Sequence, residues 1–363
     1  MTEDWENGGF GIYIHWPFCT AKCPYCDFNS HVRSNINQKQ WLKAYLNEIN
    51  RVSKKTSNRI LNSVFFGGGT PSLIEPSIIG DVLNEIQKHW KKKNNFEVTL
   101  EANPGSVDAK NFKAYKEAGV NRTSMGIQSL NTKDLKALGR THTVEEALAA
   151  FEIARQNFKA VSFDLIYARQ NQNISQWEKE LSLALSLEAS HMSLYQLTIE
   201  QGTAFGDRYN RGLLKGLPND DTSADMYDLT LSLCEDRGLV SYEVSNYAHQ
   251  GYESIHNLIY WRYGDYIGIG PGAHGRLTID GKKYATETVL SPEAWLKKVE
   301  CDGSGESNSV ELTDQQQAAE FVMMGLRLKE GINYQRFKDL SGSAFSKTKL
   351  NFLKDLNLIE EKD

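Results

Sequence analysis

Six short β-type runs recur between residues 10 and 198, with stretches of helical period between them. The runs are "FGIYIHW" (10–16), "SVFFGG" (63–68), "FEVTLEA" (96–102), "RTSMGIQ" (122–128), "AVSFDLIY" (160–167) and "HMSLYQLT" (191–198). Trp41, Leu42, Tyr45, Leu46 and Ile49 share one helical face, as do Ile78, Ile79, Val82, Leu83 and Ile86. Residues 144–158 follow Thr143, a favourable N-cap. This repeated order predicts an α/β fold: a parallel sheet with helices outside, curled into a full or partial barrel. Such folds carry their chemistry at the C-terminal ends of the strands.

The polar and glycine-rich residues fall at those ends. Three cysteines follow the first run, "GGGTPS" follows the second, Glu101 ends the third and Gln128 the fourth, and Asp164 lies within the fifth. Five placements in register predict a single site.

At 363 residues the chain has room for this barrel and a smaller unit. "KGLPNDDTSAD" (215–225) reads as a linker, which gives a barrel over 1–216 and a smaller, mostly helical C-terminal domain over 217–363. Within the latter come a strand "SYEVSNYA" (241–248), the stretch "HNLIYWRYGDYIGIGPGAHGR" (256–276), and a helical tail from about Thr313. "GIGPGAHG" (268–275) satisfies a dinucleotide fingerprint in form. That fingerprint needs a following helix, whereas "RLTIDGKKYAT" reads as a hairpin on an Asp-Gly turn, so it is rejected.

Composition narrows the class. Hydrophobic and charged shares of 40% and 24% fit a globular chain, and a net charge of -5 gives no electrostatic reason to expect nucleic acid. "MTEDWENGGF" is acidic and polar, unlike a signal or transit peptide, and no apolar run approaches the roughly 18 residues of a membrane span. Clustered cysteines in such a chain point to metal or redox work in the cytoplasm rather than to a secreted disulfide framework.

Cys19, Cys23 and Cys26 stand in C-x3-C-x2-C spacing on a loop. Three chemistries compete for them. A structural zinc site needs a fourth ligand, for which His15 and His31 are near in sequence. A redox dithiol would use Cys23 and Cys26 and leave Cys19 unexplained. A [4Fe–4S] cluster held by three cysteines leaves one iron open to an exogenous ligand.

This spacing, with Tyr25 just before the third cysteine and "GGGTPS" at the next strand end, resembles the radical S-adenosylmethionine (SAM) superfamily. The resemblance implies a partial (β/α)6 barrel, a [4Fe–4S] cluster on Cys19, Cys23 and Cys26, and SAM on the open iron. "IYIHWPFCTAKCPYCDFNSH", "GGGTPSLI", "EANPG", "GIQSL", "LGRTH" and "DLIY" extend it over nearly the whole chain. They are similar to the branch holding oxygen-independent coproporphyrinogen III dehydrogenase and its heme-chaperone relatives. Phe28 stands where the dehydrogenase pattern carries a further cysteine, and only 18 residues precede Cys19, which favours the chaperones. "DLIYARQNQ" (164–172) departs from the branch's usual "DLIYGLPGQ" and changes the available turn geometry.

The resemblance places Tyr13, Tyr25, Gly68, Gly69, Thr70, Glu101, Gln128, Arg140 and Asp164 around SAM. It places His256, Asn257, Tyr260 and Trp261, an HNxxYW motif, at heme. An arginine suits a carboxylate, and acidic side chains suit ribose hydroxyls. Heme and heme-requiring acceptor proteins are then the expected partners, with membrane contact only peripheral, through acceptors, and with a homodimer admitted. The alternative is decarboxylation of coproporphyrinogen III. Cys234 and Cys301 read as a buried and an exposed thiol without a role.

Overall fold

Phe10, Ile12, Ile14 and Trp16 alternate along the first strand, and each is fully buried. This side of β1 (Phe10–Trp16) faces the helices, where Trp16 meets Trp41 edge-on at 6.1 Å. The computed structural model describes residues 3–56, 58–106 and 109–362. In it β1 is followed by β2 (Ile60–Gly68), β3 (Lys91–Ala102), β4 (Arg122–Gln128), β5 (Ala160–Tyr167) and β6 (His191–Gln196). These six pair in parallel in chain order. The crossovers are α1 (Gln38–Thr56), α2 (Pro76–His89), α3 (Ala109–Ala118), α4 (Thr132–Ala137) with α5 (Val144–Asn157), and α6 (Ile174–Leu185). The six β-α repeats are as expected; β2 and β3 begin earlier than their apolar runs, and β6 ends at Gln196.

Thr143 caps α5 through a reciprocal box: its hydroxyl accepts from Glu146 N at 3.1 Å, and Glu146 Oε2 accepts from Thr143 N at 2.8 Å. Thr143→Ala should cost about 1 kcal/mol. An unchanged urea midpoint would show that this cap contributes nothing.

The sheet does not stop at β6. Helices α7 (Ala204–Asn210) and α8 (Asp220–Asp236) lead to β7 (Val240–Glu243) and β8 (Asn246–Ala248), and β8 pairs antiparallel with both β6 and β7. After α9 (Ile255–Trp261), strand β9 (Asp265–Ile269) returns to pair in parallel with β1, on the other side from β2. Then β10 (His274–Ile279), β11 (Lys282–Thr288) and β12 (Glu306–Glu311) extend that edge. The order is β12-β11-β10-β9-β1-β2-β3-β4-β5-β6-β8-β7, and the two end strands do not pair with each other, so the barrel is partial.

Three details differ from the sequence reading. "SYEVSNYA" is two short strands of a hairpin, not one strand. The expected linker is half helix, because Asn219 caps α8 by accepting from Thr222 N at 2.9 Å. Strands from 240 to 311 join the barrel's own sheet, and helical character is concentrated in α10 (Pro292–Asp302), α11 (Asp314–Gly325), α12 (Tyr334–Ser341) and α13 (Lys347–Asp355). The physical reason is that β1 has an open edge, and β9 fills it with ladder hydrogen bonds. Trp41 of α1 also stacks on Trp295 of α10 at 5.4 Å. The Asp-Gly hairpin forms as expected, with Asp280 and Gly281 both at positive φ (51° and 76°).

Candidate functional site

The side of the sheet away from the helices carries Tyr13, Phe65, Glu101, Ser124 and Asp164, all half-buried. Above them, at the C-terminal strand ends, lies the cysteine loop. Phe18–Cys19 pairs in parallel with His31–Val32, which draws the loop's two stems together. Pro24 O accepts from Phe205 N of α7 at 2.8 Å, and Tyr25 rests against the Phe205 ring at 6.4 Å. The loop is thus held by a helix from later in the chain.

Each thiol meets a different neighbour. Thr70 Oγ1 donates to Cys19 Sγ at 3.4 Å, Arg140 Nη1 donates to Cys23 Sγ at 3.4 Å, and Cys26 Sγ lies 3.8 Å from Ser30 Oγ. Among the described residues no three His, Cys, Asp or Glu side chains converge on one metal-ion point. His15, the nearest candidate for a fourth zinc ligand, has both ring nitrogens engaged: Nδ1 is 3.0 Å from Tyr13 OH, and Nε2 is 2.9 Å from Asn29 O.

The glycine run closes onto this loop. Gly68 has φ 111°, and a Cβ there would sit 2.5 Å from the His15 ring, so only glycine fits. Its amide donates to Glu101 Oε2 at 3.1 Å. Gly69 N continues the ladder to Trp16 O at 2.7 Å.

Gln128 ends β4 at a bulge, with φ 73°, a rare conformation for a residue with a side chain. Its amide oxygen is buried without a partner. Arg140 Nη2 reaches Gly126 O at 2.7 Å and Asn103 Oδ1 at 2.9 Å, while its Nε is also buried and unpartnered. Such unmade hydrogen bonds are costly, and they suit a polar ligand.

Burial, and then the nearby Asp164 carboxylate, pushes Glu101 up to about 8, against the Gly68 amide. Burial lifts Asp164 to about 6, against the hydroxyls of Ser193 and Ser124. The folded Glu101 pKa lies above its ordinary 4.5, so the native state keeps a proton that the unfolded chain releases. Stability is therefore fullest below that ordinary value and declines as pH rises towards 8. Glu101→Gln should flatten this decline in urea midpoints taken from about pH 5 to about pH 8. An equally steep decline in the variant would place its origin elsewhere.

Of the residues expected around SAM, Tyr13, Glu101 and Asp164 share the inner face, Gly68 bonds to Glu101, and Thr70 and Arg140 reach the cysteine loop. Of the HNxxYW residues His256 is buried, while Asn257, Tyr260 and Trp261 are half-buried. His256 is 1% exposed, with Nδ1 2.7 Å from Ser63 Oγ and Nε2 2.7 Å from Tyr260 OH. Both imidazole nitrogens are thus engaged within the interior. Asn257 N donates to the N-cap Ser254 Oγ, and the Arg327 guanidinium covers the Trp261 ring at 4.5 Å.

Asn29 is the residue that sequence reasoning missed. Its Nδ2 donates to Pro271 O and Leu290 O, both at 2.9 Å, and its Oδ1 lies 3.1 Å from His31 Nε2. A Cβ on Gly272 would stand 2.5 Å from Asn29 Nδ2, so the rejected "GIGPGAHG" run serves to pack the cysteine loop. No local signal marks a partner more than 240 residues away in the chain. The altered loop after Tyr167 makes a left-handed turn, with Ala168 at φ 55° where the branch has glycine. Arg169 is buried there and pairs with Glu180 and with Asp134, the latter at 2.8 Å. Cys234 is buried and Cys301 exposed.

A family model described as the radical SAM superfamily matches residues 13–184, and one described as the HemN C-terminal domain matches residues 312–363. The Haemophilus influenzae protein named heme chaperone HemW is 39% identical, over 96% of this chain and 91% of its own. A Danio rerio protein named radical S-adenosyl methionine domain-containing protein 1, mitochondrial, is 39% identical over 92% of this chain and 76% of its own. The solved structure of coproporphyrinogen III oxidase (HemN) from Escherichia coli superposes with a TM-score of 0.80 at 19% identity, over 96% of this chain and 83% of that one. At that identity the likeness speaks for the fold alone. By the two family models and by its identity with HemW, the chain belongs to the radical SAM superfamily, in the branch that holds HemW and HemN.

Proposed function

We propose that this protein is a heme chaperone that carries a [4Fe–4S] cluster and SAM and passes heme to heme-requiring proteins. The observation that carries the reading is 39% identity to a protein named heme chaperone HemW over 91% of that protein's length. Phe28, exposed on the cysteine loop where the dehydrogenase pattern has a cysteine, supports the same choice.

The residues present fit both groups. Cys19, Cys23 and Cys26 would hold the cluster, and the unpartnered Gln128 amide oxygen and Arg140 Nε, with Glu101 and Asp164, offer polar contacts to SAM. The pair would supply one-electron cleavage chemistry when bound. The chain's own contribution is to aim the thiols, through Thr70, Arg140 and Ser30, and to keep Glu101 and Asp164 on the inner face.

Five free cysteines suit a reducing compartment, for which we propose the cytoplasm. No helix among the described residues is long and apolar enough to cross a membrane. Acceptor proteins, peripheral membrane contact through them, and a homodimer belong to the same proposal, as does a barrel over 1–216 with a C-terminal unit over 217–363.

The HemN C-terminal domain matched over residues 312–363 favours a second reading, oxidative decarboxylation of coproporphyrinogen III. Anaerobically reconstituted protein should develop a sharp Soret band on heme titration. It should form no protoporphyrinogen from coproporphyrinogen, SAM and reductant. Turnover at enzymatic rates without heme binding would replace the chaperone reading with the dehydrogenase one.

A further inference from the structure

Helix α9 lies inside the barrel, on the face where the SAM residues stand. Its N-terminus is held by Glu97 of β3, whose carboxylate accepts from Ile255 N at 3.2 Å and from His256 N at 3.1 Å. Ser63 of β2 fixes the imidazole, and the ring stacks on Phe65 at 5.0 Å. Gly11 of β1 leaves it room, since a Cβ there would lie 3.2 Å from His256 Nδ1. The helix is therefore anchored to three successive barrel strands.

That anchorage serves one side chain. His256 holds the Tyr260 hydroxyl, and the Tyr260 ring meets Tyr266 edge-on at 4.5 Å. Tyr13 stands 6.4 Å from the His256 ring and bonds onward to His15, which binds the cysteine loop at Asn29 O. We propose that α9 is the floor beneath the SAM residues, with His256 a positioning residue that sets the Tyr260 hydroxyl beneath Tyr13 and Glu101. Burial first, and then Tyr266, Tyr13 and Glu101, raises the Tyr260 pKa, as a phenol close to that carboxylate requires. Burial also drives His256 down to about 3, so the imidazole is neutral and one of its nitrogens is always an acceptor.

The inference rests on the SAM-site assignment above, and it gives the HNxxYW motif a role in SAM binding rather than in iron ligation. Its test is a double-mutant cycle on the full, reconstituted chain, with SAM affinity read by calorimetry and heme binding by the Soret band. Tyr260→Phe keeps the ring and removes the hydroxyl, and should weaken SAM about 10-fold with cluster content unchanged. His256→Asn should weaken it similarly and leave the Soret maximum where it is. Because His256 acts through Tyr260, the double variant should bind SAM no more weakly than the worse single one. Losses that multiply, or a Tyr260→Phe protein that binds SAM like the wild type, would overturn the proposal. So would a His256→Asn protein that loses the Soret band and keeps its SAM affinity. Wild-type protein that binds no SAM would bring down the site assignment itself.

Discussion

Replacing Cys23 with alanine is expected to leave a folded, colourless protein. Iron and acid-labile sulfide should fall from about four per chain to near zero, because two thiolates cannot retain a cluster that needs three. The fold should survive the change, since the loop is held by groups other than the thiol. Pro24 O keeps its bond from Phe205 N, Tyr25 keeps its contact with Phe205, and Asn29 keeps its two carbonyl partners. Cys301→Ala is the matching control: that thiol is exposed and lies in α10, and its loss should leave iron and colour unchanged. Iron and sulfide retained at wild-type levels in Cys23→Ala would remove this cysteine from the cluster. Stoichiometric zinc retained by the wild type after iron and sulfide reconstitution would end the cluster reading altogether.

Asp265→Ala should be the most destabilising single change away from the site. Asp265 opens β9, the strand that closes onto β1, and its carboxylate is fully buried between two cations. Arg59 Nη1 lies 2.6 Å from one oxygen and Lys283 Nζ 3.2 Å from the other, and each cation's side chain is 3% exposed. Thr278 Oγ1 donates to the same carboxylate at 3.1 Å. Removing the anion strands two buried positive charges, which costs about 3–5 kcal/mol. Arg59 sits over Trp5 at 4.5 Å and Lys283 over Tyr263 at 3.8 Å, so aromatic faces offset part of that loss. Against a total stability of about 5–15 kcal/mol, the variant should unfold at a clearly lower urea midpoint. Asp265→Asn, which keeps a hydrogen-bond acceptor for Thr278, should fall between the two. A shift worth less than about 1 kcal/mol in Asp265→Ala would mean that water reaches these cations.

Much of this molecule was legible along the chain. The alternation in "FGIYIHW" places Phe10, Ile12, Ile14 and Trp16 on one face whatever the strand pairs with, because the pleat has a period of two. Thr143 with Glu146 marks a helix start by side-chain chemistry that reaches only three residues. Asp280-Gly281 makes its hairpin because both residues tolerate positive φ. The cysteine spacing and the glycine run are local too, and the loop they belong to stands at the predicted strand ends.

Tertiary structure alone decided the pairings that span the chain. Asn29 meets Pro271 and Leu290, Arg59 meets Asp265, and Ser63 meets His256, each across more than 190 residues. Periodicity carries no information about which distant strand fills an open edge, so β9 beside β1 could not be read from "DYIGI". The same holds for "HNLIYW": its spacing is that of a helix turned towards a ligand or towards a core. What selects the core is the carboxylate of Glu97 at the helix start and the Ser63 hydroxyl beneath the imidazole. Local sequence set the elements and the chemistry each could carry. The hydrogen-bonded burial of His256 arises only when remote strands supply its partners.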